Sequence, residues 1–586
     1  MARLAKPLTD IAPRYDVIVV GSGYGGAVSA SRLARAGKRV AVLERGREVI
    51  TGEFPNRFPE LRNEIRITGD KVKTGKADAL FDIHLNEDMH IIVGCGLGGG
   101  SLINAGVTLR PDNRVFEDPL WPREIRDDGA LEEGFRRAIS WLRPAPHQHA
   151  QKLTKYRALE AAKEGTGSTM VSPPIAVSFI KNKNAAGIIQ PACTLCGDCC
   201  SGCNVGAKNT VALNYLPDAV RFGAELFTHA HVQTVLKADA TKPWSVTITP
   251  LSPEDKRDYS DQLKIEADIV ILSAGTLGST EILLRSASAG LQTSQTLGQR
   301  FSANGDIIAF GYGAKPEINA VGIGHPPKIE NFEVGPAVSG QLEVNDEQTL
   351  ENEIRVQDGV LPSALAPVLP VMFVPNGRLL GALKSLINGV YKGPFKHLQT
   401  FFAVSHDNAK GAFSLKKDRL TLSWPNAKDQ PVYARLDAIL EKITGNSGGS
   451  YVKNPLAGSI MGHQPATAHP LGGCAMAGTP ETGVVNHKCQ VFNPALGNNP
   501  NAVHDGLYVI DGAVIPRSLG VNPLLTITAL AERAMIHISD DQYLNYDCEP
   551  AGPEIKTTPE APRLPSHGSD KRGHSREKLQ SIEPTG

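Results

Sequence analysis

The chain has 586 residues, long enough for a large core and more than one domain. Its 61 Lys+Arg balance 61 Asp+Glu, so the formal net charge is +0 and the overall field gives no reason to expect nucleic acid as a partner. With 58 Gly and 41 Pro, the composition fits a turn-rich enzyme rather than a fibre or a repeat array.

Met1 to Arg14 carries Arg3 and Lys6 but no apolar stretch of the signal-peptide kind. No apolar run reaches the length of a membrane span, so the expectation is a soluble, cytoplasmic protein. Tyr15-Asp-Val-Ile-Val-Val20 is short, β-branched and apolar, as a buried parallel strand should be. Gly21-Ser-Gly23-Tyr-Gly25-Gly26 follows, then a predicted helix from Ala27 to Arg35 that Gly37 ends, and a second strand, Arg39 to Leu43, with Glu44 at its carboxyl end. Each glycine has a task in a dinucleotide site. Gly21 permits the turn, Gly23 lets backbone approach a pyrophosphate, and Gly26 allows close helix–strand packing. The helix amino terminus offers free N–H groups to phosphate, and Glu44 can accept from a ribose.

Gly46 to Asp78 reads as a polar surface excursion. Met89 to Val93 is a predicted strand running into Gly94-Cys-Gly96-Leu-Gly-Gly99-Gly100-Ser101-Leu-Ile-Asn104-Ala-Gly106. So many glycines suit a backbone that passes close to a flat ligand, and the apolar residues between them argue against a linker. Helices are expected within Trp121–Arg143, Leu153–Glu164 and Asn209–Phe222. Ala267-Asp-Ile-Val-Ile-Leu272 is another buried strand, leading to Ser273-Ala274-Gly275 and a short helix, Ser279 to Ser286.

From Leu297 to about Asn454 alternating runs such as Val338–Val344, Glu353–Val356 and Phe401–Val404 predict a mostly antiparallel sheet. Inside it, Leu361 to Tyr391 is strongly apolar, either core plus helix or a greasy entrance. Thr467-Ala-His469-Pro470-Leu-Gly-Gly-Cys474 places a histidine in a rigid turn. Gly506 to Ile510 is a strand delivering Asp511 and Gly512 to its tip. Asn522 and Pro523 are the expected N-cap and first residue of a helix, whose amino terminus would favour negative charge beside it. Glu549 to Gly586 is rich in proline and charge, and disorder is expected there.

Gly21–Gly26, Gly94–Gly106, Ser273–Leu284, Leu297-Gly298 with Asn304-Gly305, His469–Cys474, and Asp511-Gly512 with Asn522-Pro523 occur in an order that resembles one family. It is the glucose–methanol–choline (GMC) flavin oxidoreductases, and within them the cholesterol oxidase-like bacterial branch. The resemblance implies an α/β fold: a Rossmann-like FAD-binding domain interleaved with a substrate domain on a mostly antiparallel sheet. The FAD domain would comprise residues 1–118, then 191–296 with the cysteine-rich loop, and 455–548. The substrate domain would take 119–190 and 297–454, with 549–586 as a tail. FAD, rather than NAD, would be held by Gly21, Gly23, Gly25, Gly26, Glu44, Gly96, Gly99, Gly100, Ser101, Asn104, Ala274, Gly275, Asp511, Gly512, Asn522 and Pro523.

His469 would deprotonate the hydroxyl of a small apolar alcohol (sterol-like, aromatic or long-chain). Asn522 would orient it, and hydride would pass to the flavin. Oxygen, an acceptor protein or a quinone would then reoxidise the flavin. The family's steroid oxidases carry a glutamate where Ala364 stands here, which puts steroid isomerisation in doubt and leaves Glu353 as the nearby substitute.

Cys193, Cys196, Cys199 and Cys203 have the C-x2-C-x2-C-x3-C spacing of ferredoxin iron–sulfur ligands. Asn204 replaces the usual proline, and Cys200 is an alternative ligand. Two readings stand at this point: an iron–sulfur cluster that carries electrons from the flavin to a partner, or a plain thiol loop packed beside the flavin domain.

Overall fold

The computed structural model describes residues 2–239, 241–251, 262–329, 332–373, 390–453, 464–496, 499 and 502–550. The expected disorder beyond residue 550 and the apolar stretch 374–389 lie outside them.

The first expected unit forms in register. Strand β1 (Arg14–Val20) leads through the glycine turn into helix α1 (Tyr24–Arg35), and β2 (Val40–Leu43) returns parallel to β1 with Val17 opposite Val40. Both strands are buried on both faces from Val17 and Val40 onward, which is why they read as unbroken apolar runs. Gly37, at φ +78°, terminates the helix by donating to the Ala34 carbonyl.

The stretch 46–78 differs from its expected form. It contains the helix Phe58–Asn63 and the strands Ile65–Thr68 and Lys73–Thr74, which join Phe81–His84 and β3 (His90–Gly94) in a five-stranded sheet. These strands are short and half-buried, so their apolar signal is diluted.

Helices α2 (Ala130–Leu142) and α3 (Tyr215–Arg221) follow, α3 packing on α1 and α2 on the later helix Leu524–Asp541. Strands β4 (Glu225–Phe227), β5 (Ala230–Lys237), β6 (Trp244–Pro250) and β7 (Leu263–Leu272) complete most of the sheet begun by β1 and β2. Its spine runs β4–β2–β1–β7, all parallel, with β6 and β5 added antiparallel. Helix α4 (Gly275–Ser288) begins at the carboxyl end of β7, four residues ahead of the expected start.

The second sheet has six strands, antiparallel throughout. Its middle is β8 (Ile307–Tyr312), β9 (Gln341–Val344), β10 (Ile354–Gly359) and β11 (Gln399–Val404), in the spatial order β8–β11–β10–β9. Ser450–Val452 and Thr169–Val171 close its two edges. The chain finally returns to the first sheet through β12 (Val503–Val509), parallel to β7, followed by helix α5 (Leu524–Asp541). Separate apolar cores lie on the two sheets, and the segments joining them carry the residues of interest.

Candidate active site

The glycines of the first turn divide by what surrounds them. A Cβ on Gly21, Gly25 or Gly26 would fall within 2.3 Å of a backbone oxygen of Ser273, Ile510 or Gly21 respectively. These three lock β1, α1, β7 and the Ile510 segment together. Gly23, Gly100 and Gly275 instead have nothing within 4 Å of an added Cβ. Gly99 bridges the two groups, since its Cβ would sit 2.9 Å from Gly23 Cα. Backbone is therefore bare on one side where the first turn, the 94–106 loop and the start of α4 converge.

Gly25→Ala and Gly100→Ala should separate these roles. The first is expected to destabilise the apo-protein by more than the about 1–3 kcal/mol of ordinary overpacking, because its Cβ meets the Ile510 carbonyl rather than a movable side chain. The second should leave the apo-protein melting temperature unchanged and weaken flavin retention, read by visible absorbance after gel filtration.

Glu44 is 7% exposed. It accepts from Ser22 Oγ at 2.6 Å, Ser22 N at 3.2 Å and Gly46 N at 2.8 Å. Burial raises its carboxyl pKa against the pull of those bonds. A carboxylate has about four acceptor positions, so one remains for a ribose hydroxyl. Ser22, which the sequence did not single out, also accepts from Gly98 N at 2.9 Å and so ties the first turn to the second glycine loop.

Within that loop Gly96 has φ +153°, and Ser101 Oγ donates to the Gly98 carbonyl. Asn104 donates to the Tyr24 hydroxyl at 2.8 Å. Across the cradle Asp511 accepts from Gly275 N, Ser279 Oγ and Ala513 N, and burial pushes its carboxyl up to about 6. Ala274 N donates to the same Ser279 hydroxyl, and Gly512 packs on Thr276. Bare backbone, the amino ends of α1 and α4 without side-chain caps and a buried acid at a strand end fit a dinucleotide.

Three distant segments build the second half of the site. Asn304, at φ +57°, donates to the Val521 carbonyl and accepts from Leu519 N and Gly520 N, so it shapes the approach to Asn522. Thr467 Oγ1 accepts from His469 N, and Thr276 Oγ1 donates to the Pro470 carbonyl. These bonds bring Asn522 Nδ2 to 3.5 Å from His469 Nε2. Behind the ring, Asp306 Oδ2 lies 3.3 Å from His469 Nδ1, within ion-pair range but off the line of a hydrogen bond. Asp306 is 2% exposed and is held by Ala468 N and Thr467 Oγ1.

Asn522 was expected as an N-cap and is not one. Pro523 takes the cap position of α5, with no side-chain cap bond, and the helix starts at Leu524. The asparagine amide is released to face His469. Its Oδ1 accepts from Gln357 Nε2 at 2.7 Å. Asp306 and Gln357 escaped the sequence reading; a carboxylate just after Asn304-Gly305 is a signal that could have found the first, whereas Gln357 sits in a strand that also carries Arg355 and Asp358 and gives none.

Glu353 does not offer a free base. It is 6% exposed and engaged by Arg114 at 2.5 Å and Arg355 at 3.2 Å. Ala364 is fully buried in the turn Ser363–Val368.

The cysteine run corrects the iron–sulfur expectation. Among the described residues, the only three potential ligand atoms lying within 4.8 Å of one another belong to Asp128, His487 and His537. No set from Cys193, Cys196, Cys199 and Cys203 does so. Cys193 and Cys203 pack against one apolar cluster, beside Val107 and Val177, while Cys196 lies in another with Ile323 and Val334. Burial pushes the Cys196 thiol up to about 12 and raises those of Cys193 and Cys199.

The loop acts instead as a stitch. Asp198 accepts from Ser363 N and Gly324 N, and buried Lys208 donates to the carbonyls of Leu102, Asn104 and Cys199. At Asp128 the guanidinium of Arg533 contacts both the carboxylate and His487 Nδ1, so a cation already fills that group.

A largely parallel sheet with bare glycine backbone at its strand ends, and a histidine–asparagine pair brought together from distant segments, suit a cofactor-dependent oxidoreductase. Residues 15–304 match the amino-terminal family profile "GMC oxidoreductase" and residues 446–531 the carboxy-terminal one, and the chain belongs to that family. It is thus a flavoprotein oxidoreductase acting on CH–OH donors.

A cholesterol oxidase of Acinetobacter baumannii is 28% identical over 89% of this chain and 94% of its own length. A long-chain-alcohol oxidase of Arabidopsis thaliana is 24% identical over 88% of this chain and 66% of its own. Among solved structures, pyridoxine 4-oxidase from Mesorbium loti superposes with a TM-score of 0.58 at 16% identity, covering 90% of this chain and 99% of that one. A fungal aryl-alcohol oxidase gives 0.55 at 15%, covering 91% and 100%. No helix among the described residues is long and apolar enough to cross a membrane.

Proposed function

We propose that this chain oxidises the CH–OH group of an apolar alcohol, with FAD as its cofactor and His469 as the base. One observation carries the reading. Nε2 of His469 and Nδ2 of Asn522, 53 residues apart, lie 3.5 Å from each other, with Asp306 behind the ring. An acceptor and a donor at that spacing suit the two needs of a hydroxyl, since Nε2 takes its proton while Nδ2 donates to its oxygen. Asp306, 3.3 Å from Nδ1, supports the positive charge that develops when Nε2 is protonated.

FAD, when bound, accepts the hydride from the carbinol carbon. Gly23, Gly99, Gly100 and Gly275 would let its pyrophosphate and ring approach backbone. The amino end of α1 would face the phosphates and Glu44 the ribose, with Asp511, Gly512 and Pro523 at the far edge of the cradle. The names of the relatives, a cholesterol oxidase and a long-chain-alcohol oxidase, support an apolar substrate, and oxygen is the simplest electron acceptor.

The test is anaerobic mixing of the purified holoenzyme with benzylic, long-chain and steroid alcohols. At least one long-chain or steroid alcohol should bleach the flavin rapidly. If none does while dithionite reduces it fully, alcohol oxidation is wrong.

A further inference from the structure

Asn522 stands at one end of a row of side-chain amides that leaves the site along two neighbouring strands. Gln341 on β9 and Gln357 on β10 are register partners in the antiparallel pair, so their side chains share a face. Gln357 Nε2 donates to Asn522 Oδ1 at 2.7 Å and to Gln341 Oε1 at 2.8 Å. Gln341 Nε2 in turn donates to Glu343 Oε1 at 2.8 Å. Gln341 is 0% exposed and Gln357 1%, so water does not compete for these bonds.

The two ends of a carboxamide have nearly the same shape, so its neighbours must decide which end points where. Here the decision begins at Glu343. Its carboxylate can only accept, so the amino group of Gln341 must face it and the carbonyl of Gln341 must face Gln357. The amino group of Gln357 then satisfies both Gln341 and Asn522, which turns the Asn522 amino group toward His469.

The histidine meets constraints of the same kind from both sides. Asp306, also acceptor-only, lies behind Nδ1 at 3.3 Å, and a donor, Asn522 Nδ2, lies before Nε2 at 3.5 Å. Both favour the imidazole with its proton on Nδ1 and a lone pair on Nε2. A reversed Asn522 would present its carbonyl to Nε2 and favour the proton there, where it blocks a base.

We propose that Glu343, Gln341 and Gln357 are positioning residues whose bonds hold the Asn522 amide in one orientation and thereby keep His469 Nε2 unprotonated. This rests on the reading of His469 as base only for its kinetic consequence; the tautomer can be measured without turnover.

The experiment uses FAD-loaded enzyme labelled with 15N in its imidazoles, with the His469 signals assigned by their loss in His469→Gln. Wild-type His469 should show the Nδ1–H pattern. Gln357→Leu and Glu343→Gln should move it toward Nε2–H, and Glu343→Asp, which remains acceptor-only, should not. Glu343 is only partly buried, so its variants avoid the folding risk of Gln357→Leu. Flavin reduction by dodecanol should slow on the order of 10–100-fold in Gln357→Leu with little change in KM, as expected for loss of orientation.

An Nε2–H wild type, or a spectrum unchanged in both Gln357→Leu and Glu343→Gln, overturns the proposal. A tautomer shift in an enzyme that no alcohol reduces would uphold the relay and reject the alcohol chemistry.

Discussion

His469→Gln is expected to slow anaerobic flavin reduction on the order of 10²–10⁴-fold, the usual worth of a positioned general base, while the protein still purifies yellow. Glutamine keeps much of the volume of histidine and can donate to a hydroxyl oxygen, but its amide cannot take up a proton at neutral pH. The loss should appear in the rate of reduction at saturating alcohol rather than in the alcohol concentration needed, since orientation by Asn522 survives. His469 is anchored through its own backbone N–H to Thr467 and is followed by Pro470, whose carbonyl is held by Thr276. The turn therefore stays in place when the ring is removed. Stopped-flow absorbance measures the rate, and a variant reduced as fast as wild type removes His469 from the mechanism.

Glu532→Gln is expected to cost about 3–5 kcal/mol of stability, as breaking one side of a buried ion pair does. Arg32 on α1 and Glu532 on α5 are both fully buried and joined by two bonds, Nη2 to Oε1 at 2.6 Å and Nε to Oε2 at 3.0 Å. Tyr215 donates to the same carboxylate at 2.9 Å. The guanidinium stands 4.6 Å over the Trp141 ring, which itself stacks on Tyr215. Burial alone would lower the Arg32 pKa, but the Glu532 carboxylate overrides it and the net shift is upward.

Glutamine at 532 preserves shape but strands a cation without its counter-charge. Replacing both partners, as in Arg32→Met with Glu532→Leu, should recover much of the loss, because the desolvation cost then disappears with the charges. Denaturant unfolding of the two variants against wild type gives the comparison; a Glu532→Gln protein as stable as wild type would show the pair to be dispensable. The same clamp ties α1, at the cofactor cradle, to the helix that follows Asn522, so loosening it should also reduce flavin occupancy.

Elements whose causes are local were legible in the order of the residues alone. A β-branched run, a glycine turn and the helix it opens depend on neighbours within a few residues, so β1, α1, β2 and β7 were readable, as was the antiparallel character of 297–454. Their boundaries were less so: α4 begins at Gly275 because an N–H freed at the strand end is taken by Asp511, 236 residues away. His469 and Asn522 could be named from their motifs, but the role assigned to Asn522 as a cap could not survive. A local rule favours asparagine before a helix, whereas Gln357, 165 residues distant, claims its carbonyl.

The cysteine spacing misled for the same reason. Spacing along the chain limits which sulfurs can meet, but packing divides these between two separate apolar clusters. What stands behind each functional group is set by how distant segments pack. Asp306 behind His469, Gln357 behind Asn522, Ser22 beside Glu44 and Glu532 against Arg32 are pairings across 22 to 500 residues. Such pairings arise because buried donors and acceptors must find partners within the fold, wherever in the chain those partners happen to be.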